Sequence, residues 1–559
     1  MVKKILSFLN KEFHGINEAA LLLGGFAFVS QLLGLVRDKA FAYIVGAGPI
    51  LDVYYASFRI PDFLYISVAS LASITVLMPF LVDRINQNRE DAKRFLNNVF
   101  TVFMIFMVFI SIVVAILMPY IALYIAPGFS ESQLALMVTT SRIMLLSPVF
   151  IGLSNLIGTV TQIYKNFLIF SLSPIFYNIG ILFGVLFLYH RFGVYGLALG
   201  VIIGAFMHLV VQIPIVMKHD FFPRFTSNID WKEIWKVIRM SLPRTLALSS
   251  NSLAFMSLIA MASTLKEGSI SLFTFAYNLQ SVPVGIIGIS YSVAAFPVLV
   301  KSFSLKDIDS FILHITSAAK QIIFWSLPVV SLLIVLRAQI VRVILGSGTF
   351  SWTDTRLTSA SVALFVVSLV SQGLVLLFVR GYYAAGNTRK PLFVNVFSSM
   401  MIIVFAYSLI YVFKTYPYAL SFLENILRVS GVKGTIMLAL PIAYALGSIL
   451  NFSLIWFMFK KDFLKNKSFG LNRTFTDSLI SAIVMGAVSY EFLNIFSNIF
   501  LTNTLLGIFL QGLFSGIIGI ISGGLVLFLL KNKELKDIAD TLGKKLNYNR
   551  VIAPEQSEL

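Results

Sequence analysis

Long apolar runs recur from end to end of the 559-residue chain, separated by short polar clusters. A bilayer core about 30 Å thick is crossed by about 20 residues of helix. Runs long enough to do so fall at 18–46, 51–82, 96–126, 133–163, 167–189, 194–217, 236–264, 270–300, 313–346, 357–385, 391–413, 435–459, 475–496 and 504–530. The pattern predicts an all-α polytopic membrane protein with about fourteen transmembrane helices. Several runs exceed the minimum, which predicts tilt or extension beyond the lipid. Ahead of the first run, Ile5, Leu6, Phe8, Leu9 and Phe13 are spaced as an interfacial amphipathic helix over 1–17. A signal peptide is the poorer reading there, because Asn10, Lys11 and Glu12 break the apolar run and no small-residue cleavage site follows.

The runs carry an internal repeat. SLASITVLMPFLV ends the second run and GISYSVAAFPVLV ends the eighth, with Pro79 and Pro297 separated by 218 positions. PIFYN at 174–178 matches PLFVN at 391–395, an offset of 217, and Gly128 and Gly346 are again 218 apart. A shared offset predicts duplication of a six-helix unit, giving two lobes over 18–217 and 218–460. An even number of crossings gives both copies the same orientation. Such parallel repeats are a transporter architecture, with substrate held where the repeats meet. The last two helices, over 461–530, lie outside the repeat, and 531–559 reads as a charged cytoplasmic tail.

Composition agrees with the apolar pattern: 58% hydrophobic and only 12% charged residues, against about 25% charged in soluble domains, with mean hydropathy +0.88. The net charge of +18 would suit nucleic acid, but its placement argues otherwise. With both termini inside, 29 of the 43 Lys and Arg residues fall on the cytoplasmic side, eight on the other, and six within or at the ends of spans. That is the asymmetry expected of a plasma-membrane protein, so no nucleic-acid partner is expected. The chain has no cysteine, which excludes disulfides, iron–sulfur clusters and thiolate zinc sites. Five scattered histidines show no metal-ligand spacing, and no phosphate-binding loop or catalytic constellation appears. Neither a metal nor a cofactor is expected, and the chain reads as a transporter rather than an enzyme.

The informative residues are charges inside apolar runs. Arg37, Asp38 and Lys39 interrupt the first, and Asp52, Arg59 and Asp62 the second. A charged group facing lipid costs at least ~2.5–3.5 kcal/mol at the helix centre, so these groups are expected to line a protein interior or a polar, cationic cavity. The planar guanidinium forks of Arg37 and Arg59 suit a pyrophosphate in charge-assisted bonds. The alternative is helix-bundle glue, with Arg37 paired to Asp38 or Asp52 and Arg59 to Asp62. Gly46 and Gly48 mark the turn between the first two spans. Pro61 and Pro79, with Pro283 and Pro297 in the second half, each remove a helical hydrogen bond and are candidate hinges. The second half offers neutral groups instead of arginines, Asn278 foremost.

The run GLVRDKAFAYIVGAGPILDVYYASFRIPDFL resembles the MurJ/MviN family of lipid II flippases, within the multidrug/oligosaccharidyl-lipid/polysaccharide exporter superfamily. A second landmark is YYAAGNTRKP at 382–391. The resemblance implies two six-helix lobes, a central cationic cavity, and a groove for a polyprenyl tail formed with the last two helices. The implied partners are lipid II, an undecaprenyl-pyrophosphate-linked saccharide, and membrane lipids, with coupling to membrane potential, Na+ or H+. The implied location is the bacterial inner membrane, in peptidoglycan biosynthesis. Arg37 matches the family's first-helix arginine, and Arg59 its basic position before the proline. The chain departs at Gln31, Tyr65 and Asn278, where the family carries arginine, at Asp62 for asparagine, and at Ser70-Leu71 for Glu-Gly. The substrate-site expectation is therefore Arg37, Arg59, Asp52, Asp62, Asn278, Gln31 and Ser70. The departures leave open a flippase for another polyprenyl-linked oligosaccharide, or an ion-coupled drug exporter of the same superfamily.

Overall fold

The computed structural model describes residues 16–68, 74–464, 470–501 and 503–537. In chain order its α-helices are α1 (Ile16–Ala40), α2 (Pro49–Val68), α3 (Ile74–Gln87), α4 (Arg89–Ile125), α5 (Glu131–Met144), α6 (Leu146–Ile163), α7 (Phe167–Phe183) and α8 (Tyr189–Phe192). They continue as α9 (Val194–Val210), α10 (Ile213–Lys218), α11 (Trp231–Ser263), α12 (Ser269–Pro283), α13 (Ser290–Ser304), α14 (Ile308–Val335) and α15 (Arg337–Ile344). The remainder are α16 (Trp352–Val366), α17 (Leu369–Ala384), α18 (Arg389–Thr415), α19 (Pro417–Leu427), α20 (Ala439–Phe459), α21 (Asn472–Ser497) and α22 (Leu505–Leu529). Among the described residues there is no strand. The all-α membrane class read from the apolar pattern is what the chain adopts.

Among the described residues, eleven helical segments are long and apolar enough to cross a membrane, or twelve if α16 and α17 count as one bent span. The two other predicted spans map onto α1 and α2, so the count of fourteen is not reached on length and apolarity. In α2 the reason is plain: Asp52, Arg59 and Asp62 fall within twenty residues. The described parts of the predicted run 51–82 fall in α2 and α3, and Ser70 lies outside the described residues. The predicted interfacial helix at 1–17 and most of the tail also lie outside them.

Polar side chains at the helix starts answer the orphan amides there. Asn88 accepts from Glu90 N, Asp230 from Lys232 N and Glu233 N, Asp307 from Ser310 N, and Thr504 from Gly507 N. Ser130 and Gln133 form a reciprocal capping box on α5.

By contact the chain forms two units. The first comprises 1–282, 344–364 and 387–451, and the second 283–343, 365–386 and 452–559. The two six-helix lobes remain a proposal drawn from the repeat, since the contact units divide the chain differently. In the first unit, α7 and the π-helical stretch Gly184–Leu188 that continues it approach α9 through glycine. A Cβ at Gly180 would lie 2.2 Å from Gly204 Cα, and one at Gly184 would lie 2.6 Å from Gly200 Cα. Glycines 196, 200 and 204 form a doubled small-xxx-small pattern, the spacing that lets membrane helices touch backbone to backbone. In the second unit, α21 and α22 pair in the same way, with Ser481 Oγ donating to Gly523 O at 2.9 Å.

Candidate functional site

The charged cluster lies in the first unit, where α1, α2, α7, α11 and α12 come together. At the end of α1, Arg37 donates from Nε and Nη2 to Asp38 Oδ1 at 3.0 and 2.9 Å, and from Nη1 to Asn178 Oδ1 on α7 at 3.1 Å. Asp38 is buried, and its other oxygen accepts from Asn278 Nδ2 on α12 at 2.9 Å. One carboxylate thus binds an arginine and an amide on two different helices. Asn278, which stands where the resembled family carries arginine, completes the pair without adding charge. Of the two partners considered for Arg37, the structure selects Asp38.

Arg59, two turns along α2, is arranged differently. Its Nε donates to Tyr55 O at 3.3 Å, and its guanidinium carbon lies 4.6 Å from the centre of the Phe255 ring on α11. Phe255 in turn meets Tyr277 edge-on at 4.7 Å. The ring holds the flat guanidinium by cation–π attraction. Among the described residues no carboxylate lies within ion-pairing distance of Arg59, and neither Nη donates to the protein. The expected Arg59–Asp62 pair is therefore not formed. Asp62 is half-buried one turn further along. Its neighbour Tyr65 accepts from Asn155 Nδ2 at 2.9 Å.

Asp52, expected among the substrate residues, is buried, and its two oxygens accept from the backbone amides of Ser271 at 2.8 Å and Gly268 at 2.7 Å. It caps α12 from a different helix, so its acceptor capacity serves the fold. Three further contacts join the same ends of helices. Thr349 N donates to Tyr43 O at 3.1 Å, Thr349 Oγ1 to Ala42 O at 3.0 Å, and Gly128 N to Ser263 Oγ at 3.1 Å. Gly46 has φ +77°, and a Cβ there would meet Thr349 Oγ1 at 2.7 Å. Glycine is required on both counts. Gly48 has open space around its Cα, and its carbonyl accepts from Asp52 N at 2.9 Å. Before Gly46, residues Phe41–Val45 form a π-helical turn whose Phe41 packs on Tyr54 at 4.9 Å. Gln31 Oε1 is buried with no hydrogen-bond partner among the described residues.

The candidate hinges divide. Pro61 lies inside an unbroken α2, and Pro79 inside α3. Pro297 lies inside α13. Pro283 ends α12 and is followed by a π-helical stretch, Val284–Ile289. The division between the two contact units falls between Val282 and Pro283. Asn178, Phe255 and the Gly268 and Ser271 amides were missed as site members. Asn178 had a signal, standing in the repeated PIFYN segment; Phe255 had none, being one of 52 phenylalanines.

Comparisons with known proteins identify the family. A family model described as lipid II flippase MurJ matches residues 41–511. A probable lipid II flippase MurJ of Buchnera aphidicola subsp. Schizaphis graminum is 28% identical over 415 residues, 73% of this chain and 80% of that protein. The lipid II flippase MurJ of Burkholderia cenocepacia is 25% identical over 382 residues, 67% of this chain and 74% of that one. Among solved structures, a lipid II flippase MurJ in an inward closed conformation aligns with TM-score 0.71 at 22% identity, covering 93% of this chain and 100% of that one. An inward-facing MATE-family transporter of the MOP superfamily aligns with TM-score 0.61 at 18% identity, covering 78% and 96%. These two likenesses show a shared fold.

Proposed function

The chain belongs to the lipid II flippase MurJ family, and from that premise we propose that it carries the lipid-linked peptidoglycan precursor from the inner to the outer leaflet by alternating access. It is a multi-pass protein of the bacterial inner membrane and acts as a transporter. The Lys and Arg asymmetry supports a topology with both termini in the cytoplasm.

The observation that carries the substrate reading is the free fork of Arg59. Its guanidinium lies over the Phe255 ring, and both Nη groups have no protein acceptor among the described residues. A guanidinium so presented binds a pyrophosphate oxygen pair bidentately. Arg37 contributes less free charge, because Asp38 neutralises it and Asn178 takes its third donor. Asp62 and Asn278 border the cluster as polar wall, and Gln31 Oε1 offers an unused acceptor. Asp52 is assigned to the gate. Its cap on α12, with the Thr349 and Ser263 contacts, fastens the loop ends of the first unit, and alternating access requires those contacts to break. Pro283 and its π-helical turn supply a candidate hinge, since irregular helix bends at such points.

Depletion of the protein, followed by measurement of lipid II on the outer leaflet, tests the substrate. Exposure is expected to fall, and unchanged exposure overturns the assignment. The role of Arg59 is tested by complementation. Arg59→Ala is expected to abolish it with normal expression, and Arg59→Lys to keep part of it, because lysine remains a phosphate-binding point charge. Full activity of Arg59→Ala, or recovery of activity in Arg59→Leu with Asp62→Leu, shows that Arg59 is not a ligand.

A further inference from the structure

The short helix α19 follows the end of α18 after a single residue, Tyr416. α18 is among the helices apolar enough to span a membrane. One stripe of its side chains is exposed at alternating spacings of four and three, including Met400, Val404, Tyr407 and Tyr411. On a 3.6-residue helix that spacing is one face, and in a spanning helix such a face meets lipid. The stripe does not stop with α18. On α19, Tyr418, Phe422 and Ile426 are 91%, 69% and 59% exposed, at spacing i, i+4, i+8. Ser421 and Asn425 are also exposed, on the adjoining flank of the helix. The inner side of α19 is occupied: Leu423 and Leu427 pack on Ala360, Val429 and Leu438, and Glu424 accepts from Thr435 Oγ1. The exposed half of α19 is thus split lengthwise into an apolar flank and a polar flank. That is the pattern of a helix lying in a membrane–water interface.

Charge supplies the second observation. Exposed Lys414 precedes α19 and exposed Arg428 ends it. Arg356 Nη2 reaches Arg428 O at 2.6 Å, and Lys266 Nζ reaches Lys433 O at 3.5 Å. Five of the eight basic residues assigned to the face opposite the termini therefore lie on the segments around this helix. The charge asymmetry that orients the rest of the chain is locally reversed here.

We propose that α19 is an interfacial anchor, with Tyr418, Phe422 and Ile426 immersed in the leaflet and Lys414 and Arg428 binding the headgroups of anionic phospholipids. The proposal rests on the membrane reading of α18 and is independent of the cargo assigned above. Its consequence is mechanical. The inner face of α19 packs on Ala360 of α16 and on Leu438 just before α20, so the bilayer surface acts directly on segments of the transport fold.

The chain has no cysteine, so single cysteines at exposed positions report without background. Tyr418→Cys, Phe422→Cys, Ser421→Cys and Asn425→Cys in the full chain carry an environment-sensitive fluorophore in vesicles of phosphatidylcholine, alone or with phosphatidylglycerol. Retained complementation shows that each variant folds. Labels at 418 and 422 are expected to be blue-shifted and shielded from acrylamide, while those at 421 and 425 are quenched. Equal quenching at all four positions overturns the anchor. The shielding is expected to increase with phosphatidylglycerol, and Lys414→Gln with Arg428→Gln to remove that increase. No phosphatidylglycerol effect in the parent chain, or one that survives the double replacement, overturns the headgroup site. Energy transfer between labels at 422 on separate molecules would seat a second copy on this face and also overturn the proposal.

Discussion

Replacing Asp52 by alanine separates a gate residue from a substrate ligand. The carboxylate holds two buried backbone amides, of Gly268 and Ser271, at 2.7 and 2.8 Å. Hydrogen bonds to a charged group contribute about 1.5–3 kcal/mol each. An ordinary N-cap replacement costs about 0.5–2 kcal/mol, but there water replaces the lost acceptor. Here Gly268, Ser269 and Ser271 are all buried, so the larger scale applies. At the low end for each bond, Asp52→Ala costs about 3 kcal/mol, a factor of roughly 100 in any equilibrium these contacts hold closed. Asp52→Asn keeps one acceptor and turns its amide donor toward the other N–H, so it should cost roughly one of the two bonds. The assay introduces a cysteine at Ala56, which is fully buried one turn below Asp52. Its labelling by a membrane-impermeant maleimide, added from the side opposite the termini, reports opening. The expected order of rates is Asp52→Ala, then Asp52→Asn, then parent. If labelling is unchanged in folded, normally expressed Asp52→Ala while transport is lost, Asp52 acts on the substrate and the gate assignment fails.

Three further outcomes follow from the geometry. Arg37→Ala leaves buried Asp38 with only Asn278, and breaking a buried ion pair from one side costs about 3–5 kcal/mol; expression should fall, and Arg37→Leu with Asp38→Leu should recover it, as read by membrane-fraction yield. Gly180→Val places a branched side chain where a Cβ already meets Gly204 Cα at 2.2 Å, so it should cost at least about 1–3 kcal/mol and lower the melting temperature in detergent. On the segment after α10, Lys93 donates to Asp220 at 2.6 Å and holds that carboxyl below its usual range; a depressed folded value stabilises above the unfolded value, so the contact should be complete at neutral pH and lost as pH falls through the folded value, with Asp220→Asn abolishing the acid-side change in proteolysis of the 219–230 loop.

The all-α membrane class was legible because it rests on periodicity and composition alone. Apolar runs, glycine turns and capping residues such as Asn88, Asp230 and Asp307 all act locally. The site was legible only as a set of positions. That charges at 37, 38, 52, 59 and 62 must be sheltered follows from the cost of exposing them to lipid. Which partner each finds depends on where distant helices lie. Asp52 and Asp62 look alike in sequence, yet one caps α12, more than two hundred residues away, and the other makes no ion pair among the described residues. Arg37 and Arg59 look equally suited to phosphate, but Asp38 follows Arg37 directly and neutralises it. Phe255 could not be chosen from among the phenylalanines, since cation–π contact depends on tertiary placement.

These pairings change what a membrane potential acts on. A cavity with several unpaired arginines would carry net positive charge, and a cytoplasm-negative potential would pull the empty form toward the inside. In this chain Gln31, Tyr65 and Asn278 supply no cation, and Arg37 and Asp38 cancel within 2.9 Å. Arg59 and Asp62 carry opposite charges on one helix, so their sum adds little even without an ion pair. What remains is the cargo. A field of 100 mV acts with about 2.3 kcal/mol on each elementary charge that crosses it, and on an anionic headgroup the force points outward. The outward step is then the voltage-sensitive one, and the return of the near-neutral empty carrier is not. Transport in potential-clamped vesicles should accelerate as the inside is made more negative, while recovery of the empty form, followed by labelling at Ala56→Cys without substrate, should not. A voltage-dependent return in the empty protein would mean that Arg37 and Asp38 separate during the cycle, and the neutral-carrier argument would fail with them.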